Sequence, residues 1–177
     1  PEIEWARGSR LILLTAHRRE NLGEPMREMF RAIRRIVDET PDIKVIYPMH
    51  KNPAVREMAR ACFGGQERIH MIEPLDGLDF HNAMAHAYLI MTDSGGIQEE
   101  APALGKPVLV MRDTTERPEG VVAGTLKLVG TDENTIYAAV RELLTDPAAY
   151  HEMEHAVNPY GDGHASRYIA DILAREL

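Results

Sequence analysis

Six short apolar runs of strand length, at positions 11–15, 44–48, 69–72, 88–92, 107–111 and 125–129, punctuate the chain. Between the first two, Met26, Met29, Phe30, Ile33 and Ile36 recur at three- and four-residue intervals, predicting a helix over 26–40 with one apolar face. Positions 52–63 and 79–87 read the same way. Strands alternating with amphipathic helices predict an α/β fold, a Rossmann-like doubly wound parallel sheet with helices on both faces. After the sixth run the pattern changes: 133–144, 148–156 and 165–177 are helical with no strand among them, so a helical tail closes the domain. Residues 1–10 read as a tether into the first strand, and the Pro-, Gly- and Asp-rich 158–164 as a loop.

Composition narrows this picture. A chain of 177 residues, 44% of them hydrophobic, suits one domain with a sizeable core and is too short for two of ordinary size. The net charge of −8, with scattered basic residues, argues against a nucleic-acid partner. No run approaches the roughly 18 apolar residues that span a bilayer, and no secretory signal opens the chain, so a cytoplasmic protein is expected. The single cysteine, Cys62, excludes a disulfide framework and reads as a buried thiol beside Met58 and Ala59. The opening at Pro1, only ten residues before a buried strand, suggests a fragment of something longer.

In doubly wound sheets ligands bind outside the carboxyl ends of the strands, which directs attention to the residues after each apolar run. The fourth run enters Thr92-Asp93-Ser94-Gly95-Gly96-Ile97-Gln98-Glu99-Glu100. Two glycines admit a ligand to the backbone, the free amides of a helix start favour an anion such as a diphosphate, and Glu100, about one turn on, suits ribose hydroxyls. The same pattern also fits a Ser-capped helix with glycines for tight packing. After the first run, His17-Arg18-Arg19-Glu20-Asn21 is poorly explained by core packing; it suits a phosphorylated ligand or a surface network of arginine and glutamate. His50 and Lys51 follow the second run, with Asn52 ready to cap a helix at Pro53. Arg112 to Gly120, after the fifth, mixes acids and bases on a loop from which Arg117 can reach a phosphate or a loop partner. His151 and His155 fall one helical turn apart, but with no third ligand evident a solvated helix face is expected and no metal site.

In this order and spacing the motifs resemble the non-hydrolysing UDP-N-acetylglucosamine 2-epimerases, whose fold is similar to the two-domain GT-B glycosyltransferases. The resemblance runs from His17-Arg18-Arg19-Glu20-Asn21 through Asp93 to Glu100 and Thr115-Glu116-Arg117-Pro118-Glu119 to Asn158-Pro159-Tyr160-Gly161-Asp162-Gly163. It implies that the whole chain is a single nucleotide-binding domain, the carboxy-terminal half of a two-domain enzyme. That enzyme inverts carbon 2 of the sugar, converting UDP-GlcNAc to UDP-ManNAc by eliminating and re-adding UDP, without a cofactor. By the same resemblance Ser94, Gly95 and Gly96 hold the diphosphate, Glu100 the ribose, Arg117 helps position the nucleotide, and Phe80 lies beside the uracil. His17 matches the active-site histidine near the phosphates, and Arg18 and His50 match contacts to a second, activating UDP-GlcNAc. Leu75 departs from the family, which often has a Gln there with its side chain near the base.

The family's catalytic carboxylates lie in an amino-terminal domain that this chain lacks, so it is expected to bind UDP-sugars better than it turns them over. The closing helix is expected to meet that absent domain, and a homodimer is the family's common state. Two other classes share the pattern: a GT-B glycosyltransferase donor-binding domain, and a UDP-sugar binding module without catalysis.

Overall fold

Six strands, β1 (Arg10–Thr15), β2 (Ile43–Pro48), β3 (Ile69–Ile72), β4 (Leu89–Thr92), β5 (Val108–Val110) and β6 (Leu126–Leu128), pair in the order β3-β2-β1-β4-β5-β6 in the computed structural model, which describes residues 1–176. Every pairing is parallel, from Ile12 beside both Val45 and Leu89 to Val110 beside Leu128. This is the doubly wound order, in which the chain crosses from one half of the sheet to the other after β3, leaving β1 and β4 as neighbours at the switch point. The helices are α1 (Glu2–Ala6), α2 (Glu24–Glu39), α3 (Pro53–Phe63), α4 (Gly77–His86), α5 (Gly95–Glu100), α6 (Pro118–Ala123), α7 (Glu133–Thr145), α8 (Pro147–Glu154) and α9 (Ala165–Glu176). The expected strands and long helices are present within a few residues of their predicted ends; Leu177, predicted to end the last helix, lies outside the described residues.

Alternate residues of the central strand feed two cores, because successive side chains in a strand point to opposite faces. Ile12 and Leu14 join the larger core under α2, α3, α7 and α8, where Phe30 packs against Tyr47 and Phe63 with ring centroids 5.6 and 4.8 Å apart. Leu11 and Leu13 join the smaller core, which Ala6, Met84, Ile97 and Leu126 help fill. Local chemistry starts the helices: Asn52, Asp76, Asp132 and Asp146 each accept a backbone N–H of the first turn at 2.8–3.0 Å, and prolines open α3, α6 and α8.

Four expectations change. Residues 2–6 are a helix rather than a tether, held by tertiary contacts that a five-residue period cannot reveal. Trp5 packs on His70 with centroids 4.7 Å apart, the Lys44 ammonium sits 4.8 Å from the Trp5 ring, and Glu2 lies 2.7 Å from His70 Nδ1. Within the charged stretch after β5, α6 begins at Pro118 and stops at Gly124, whose left-handed φ of 82° ends the helix. Cys62 is half-buried rather than buried; partial burial at the end of α3 pushes its thiol pKa up. The helical tail divides: α7 packs on α2 and belongs to the core, whereas no residue of α9 is buried. No helix among the described residues is long and apolar enough to cross a membrane.

Gly120, in α6, is required by packing. A Cβ there would lie 2.4 Å from Tyr160 Oη and 2.5 Å from Leu126 Cδ1. Gly120→Ala should therefore destabilise the domain by about 1–3 kcal/mol through overpacking; an unchanged chemical-denaturation midpoint would show that α6 and the 158–160 loop are not held together in this way.

Candidate nucleotide-binding site

The carboxyl ends of β1 and β4 are neighbours at the point where the strand order reverses, and the segments leaving them meet over a buried acid. Asp93 has no exposed side-chain surface. Its carboxylate accepts the amides of His17 (3.0 Å) and Arg18 (2.9 Å) and the side-chain amide of Asn21 (3.2 Å), and His17 Nδ1 lies 3.4 Å away. Arg18 Nε donates to the Asp93 carbonyl at 3.0 Å. Below them the Thr15 and Thr92 hydroxyls bond at 2.6 Å, Thr92 Oγ1 accepts the Ser94 amide at 2.9 Å, and Tyr47 Oη donates to the Ala16 carbonyl at 2.9 Å. Burial, with the Asp93 charge nearby, pushes the Tyr47 phenol upward and keeps it a neutral donor.

Ser94 stands at the N-cap of α5 in extended conformation, but its side chain makes no capping bond. The glycines are not there for tight packing: a Cβ at Gly95 would meet nothing closer than Arg18 Nη2 at 3.7 Å, and one at Gly96 nothing closer than Glu100 Oε1 at 3.6 Å. Both would project toward expected ligand-binding side chains, so glycine keeps the start of α5 clear. Gln98 is buried; its amide donates to the Ser94 carbonyl at 3.1 Å and its oxygen accepts the Thr115 hydroxyl at 2.5 Å, tying α5 to the loop after β5.

A cavity of about 230 Å³ opens beside this turn, lined by His17, His50, Leu75, Phe80, Ile97 and Pro48 among others. The His17 and His50 rings stack with centroids 5.6 Å apart at 14°, and the Asn52 amide donates to His50 Nδ1 at 3.1 Å. Leu75 and Phe80, around the start of α4, give the cavity a hydrophobic wall. Four of the expected residues thus converge on one hollow, while Ser94, Gly95 and Gly96 lie on the adjoining helix start.

The remaining candidates are engaged by neighbours. Glu100 lies 3.0 Å from His81 Nε2 on α4. Arg117 is closely paired with Glu99 and donates to the Glu116 carbonyl at 3.0 Å. Arg18 faces Glu116 at 3.5 Å and Glu20 at 3.9 Å, while Arg112 makes a two-pronged contact with Glu116 at 2.6 and 3.0 Å and faces Glu20 at 3.2 Å. The arginine–glutamate network allowed by the sequence is therefore real, and it rims the same turn. The hydrogen bond from Arg112, aided by a backbone hydrogen bond, lowers the Glu116 carboxyl from its ordinary 4.5 to about 2. Asp93 and Gln98 stood in the sequence motif without a role of their own. Only the apolar run ahead of Asp93 hinted that its carboxylate would be buried.

A doubly wound parallel sheet with an open, glycine-lined helix start at its crossover, flanked by arginines and an apolar hollow, is of the Rossmann-like α/β class. Its family follows from comparison: residues 2–174 match the family model described as UDP-N-acetylglucosamine 2-epimerase, and the chain belongs to that family. It is 62% identical over 173 residues to a Bacillus subtilis UDP-N-acetylglucosamine 2-epimerase, covering 98% of this chain and 46% of that protein. The S. aureus MnaA structure with UDP superposes with a TM-score of 0.93 at 54% identity, covering 97% of this chain and 47% of that one. A Neisseria meningitidis UDP-GlcNAc 2-epimerase bound to UDP-GlcNAc gives 0.91 at 43%, covering 98% and 48%. The chain thus spans about half the length of these relatives.

Two outcomes test this geometry. Asp93→Asn keeps the shape but replaces one carboxylate oxygen with a donor that faces N–H groups. It should cost about 2 kcal/mol of stability and speed hydrogen exchange at the His17 and Arg18 amides; unaltered exchange there would remove Asp93 from its positioning role. Because the folded pKa of Glu116 is lowered, its pairing contributes stability above pH 4.5 that is lost as pH falls toward about 2. A carboxyl titration followed by NMR should place Glu116 near 2, and a midpoint near 4.5 would contradict the Arg112 pairing.

Proposed function

We propose that this chain is the carboxy-terminal nucleotide-binding half of a two-domain UDP-N-acetylglucosamine 2-epimerase, holding the UDP part of UDP-GlcNAc for reversible inversion at carbon 2. The open start of α5 carries the proposal: a serine hydroxyl without a capping bond and two glycines with free space toward Arg18 and Glu100. The diphosphate sits against the Ser94 hydroxyl and the Gly95 and Gly96 amides, where the partial positive charge of a helix start and the Arg18 guanidinium stabilise it. Glu100 exchanges its contact with His81 for the ribose hydroxyls. The uracil lies against Phe80 and Leu75, with Leu75 contributing apolar contact in place of a polar one. Arg117 braces the loop that closes over the nucleotide, and Arg18 and His50 reach a second UDP-sugar.

Inversion removes the proton at carbon 2 as the bond from carbon 1 to UDP breaks; UDP then adds back to the glycal and the proton returns on the other face. Holding the diphosphate stabilises the leaving group, and His17, beside the phosphates, serves in proton transfer there. No redox cofactor takes part. The base at carbon 2 comes from the amino-terminal domain, so the chain alone binds without turning over. Tyr168, Ile169, Ile172 and Leu173 of α9, each half or more exposed, meet that domain. The intact enzyme works in the cytoplasm as a homodimer.

Calorimetric titration with UDP and UDP-GlcNAc, run beside an epimerisation assay, tests this reading. Binding by the chain, at least about tenfold weaker in Ser94→Ala and Glu100→Ala, with no turnover, is the expected result. Binding unaffected by either substitution would remove the start of α5 from the site. Turnover by the chain alone would overturn the dependence on a second domain, and sugar transfer to an acceptor by the intact protein would favour the glycosyltransferase reading.

A further inference from the structure

Away from the nucleotide site, α8 ends in His151-Glu152-Met153-Glu154 and is capped by His155. This corner lies at the amino-terminal edge of the sheet: Tyr150 stacks on Tyr88, just before β4, and the Glu154 carbonyl approaches Gly105, which precedes β5. Considered from spacing alone, the two histidines belong to a solvated helix face. The structure adds a third group, because one helical turn brings Glu154 between the rings. Its Oε2 lies 3.0 Å from His151 Nδ1 and 3.6 Å from His155 Nδ1, and ligand atoms of all three residues fall within 4.8 Å of one another.

Those spacings are informative. Ligands about 2.0–2.1 Å from a tetrahedral ion stand about 3.3 Å apart, a value that the two nitrogen–oxygen distances bracket. We propose that His151, Glu154 and His155 form a surface site for a borderline divalent cation of the Zn²⁺ type, two imidazoles and one carboxylate supplying three ligands and water the fourth. Imidazole with carboxylate suits such an ion better than a hard cation, which prefers an all-oxygen shell. His155 Nδ1 now lies 3.0 Å from the His151 carbonyl. Releasing it leaves no orphan, because that carbonyl also accepts the His155 amide at 3.0 Å. The rings are 64% and 73% exposed, so the ion enters directly from solvent. Bound there, it pins the last turn of α8 at the point where the chain departs toward 156–164.

The test is calorimetric titration of the chelator-stripped 177-residue chain with Zn²⁺, beside E154Q, the H151A/H155A double variant and an H17A/H50A control, which removes the stacked imidazole pair at the far end of the sheet. One equivalent should bind. Its affinity should fall at least about tenfold in E154Q, the scale on which loss of even an outer-shell partner weakens metal sites, vanish in H151A/H155A and persist in H17A/H50A. The exposed positions of the three substituted ligands should leave the circular dichroism spectrum unchanged. Absence of binding, loss of it in H17A/H50A, or an affinity untouched by E154Q would each overturn the site.

Discussion

A carboxylate removed from water must be answered by donors, and at Asp93 the donors are the backbone and side chains of another strand's loop. Ionised groups are seldom fully buried unless paired or hydrogen-bonded. Here the amides of His17 and Arg18 and the side chain of Asn21 supply the bonds, drawing the turn after β1 onto the turn after β4. Nearby features of the site rely on that closure. It places His17 beside His50, brings the Arg18 guanidinium next to Gly95, and defines one wall of the hollow in which Leu75 and Phe80 face the histidines.

The parallel sheet makes this economical. Strands β1 and β4 are adjacent although 77 residues separate Thr15 from its partner Thr92, and the crossover leaves a crevice between the helices that follow them. Both faces of the sheet are covered, which fixes strand ends rigidly, while the residues just past those ends are free of the ladder and available to a ligand. The buried Thr15–Thr92 contact and the Tyr47 hydroxyl on the Ala16 carbonyl satisfy polar groups that would otherwise be stranded beneath the site.

Around the rim, charge is balanced rather than accumulated. Arg18 and Arg112 share Glu20 and Glu116, and Arg117 is held by Glu99. Such pairing sets the arginines in place, each with a carboxylate already against it. The lowered pKa of Glu116 records the same arrangement from the acid's side: its strongest cause is the Arg112 hydrogen bond.

The class of fold, the six strands and the long helices were legible in the chain without any coordinates. Apolar periodicity is local, and runs such as 11–15 or the spaced residues Met26 to Ile36 carry it within a dozen residues. Motif order carried the resemblance to the epimerases, and the family comparison bears that out. Tertiary structure alone decided the rest. That Asp93 is the buried anchor, that Gln98 links α5 to Thr115, and that Arg18 and Arg117 are engaged with glutamates depends on side chains distant in sequence meeting across the sheet. The five-residue α1 likewise owes its form to Lys44 and His70, far along the chain, and Glu154 joins two histidines only once the helix turns it between them. A pattern along the chain records which faces are buried, whereas partnership between polar groups exists only when folding has brought donor and acceptor within bonding distance.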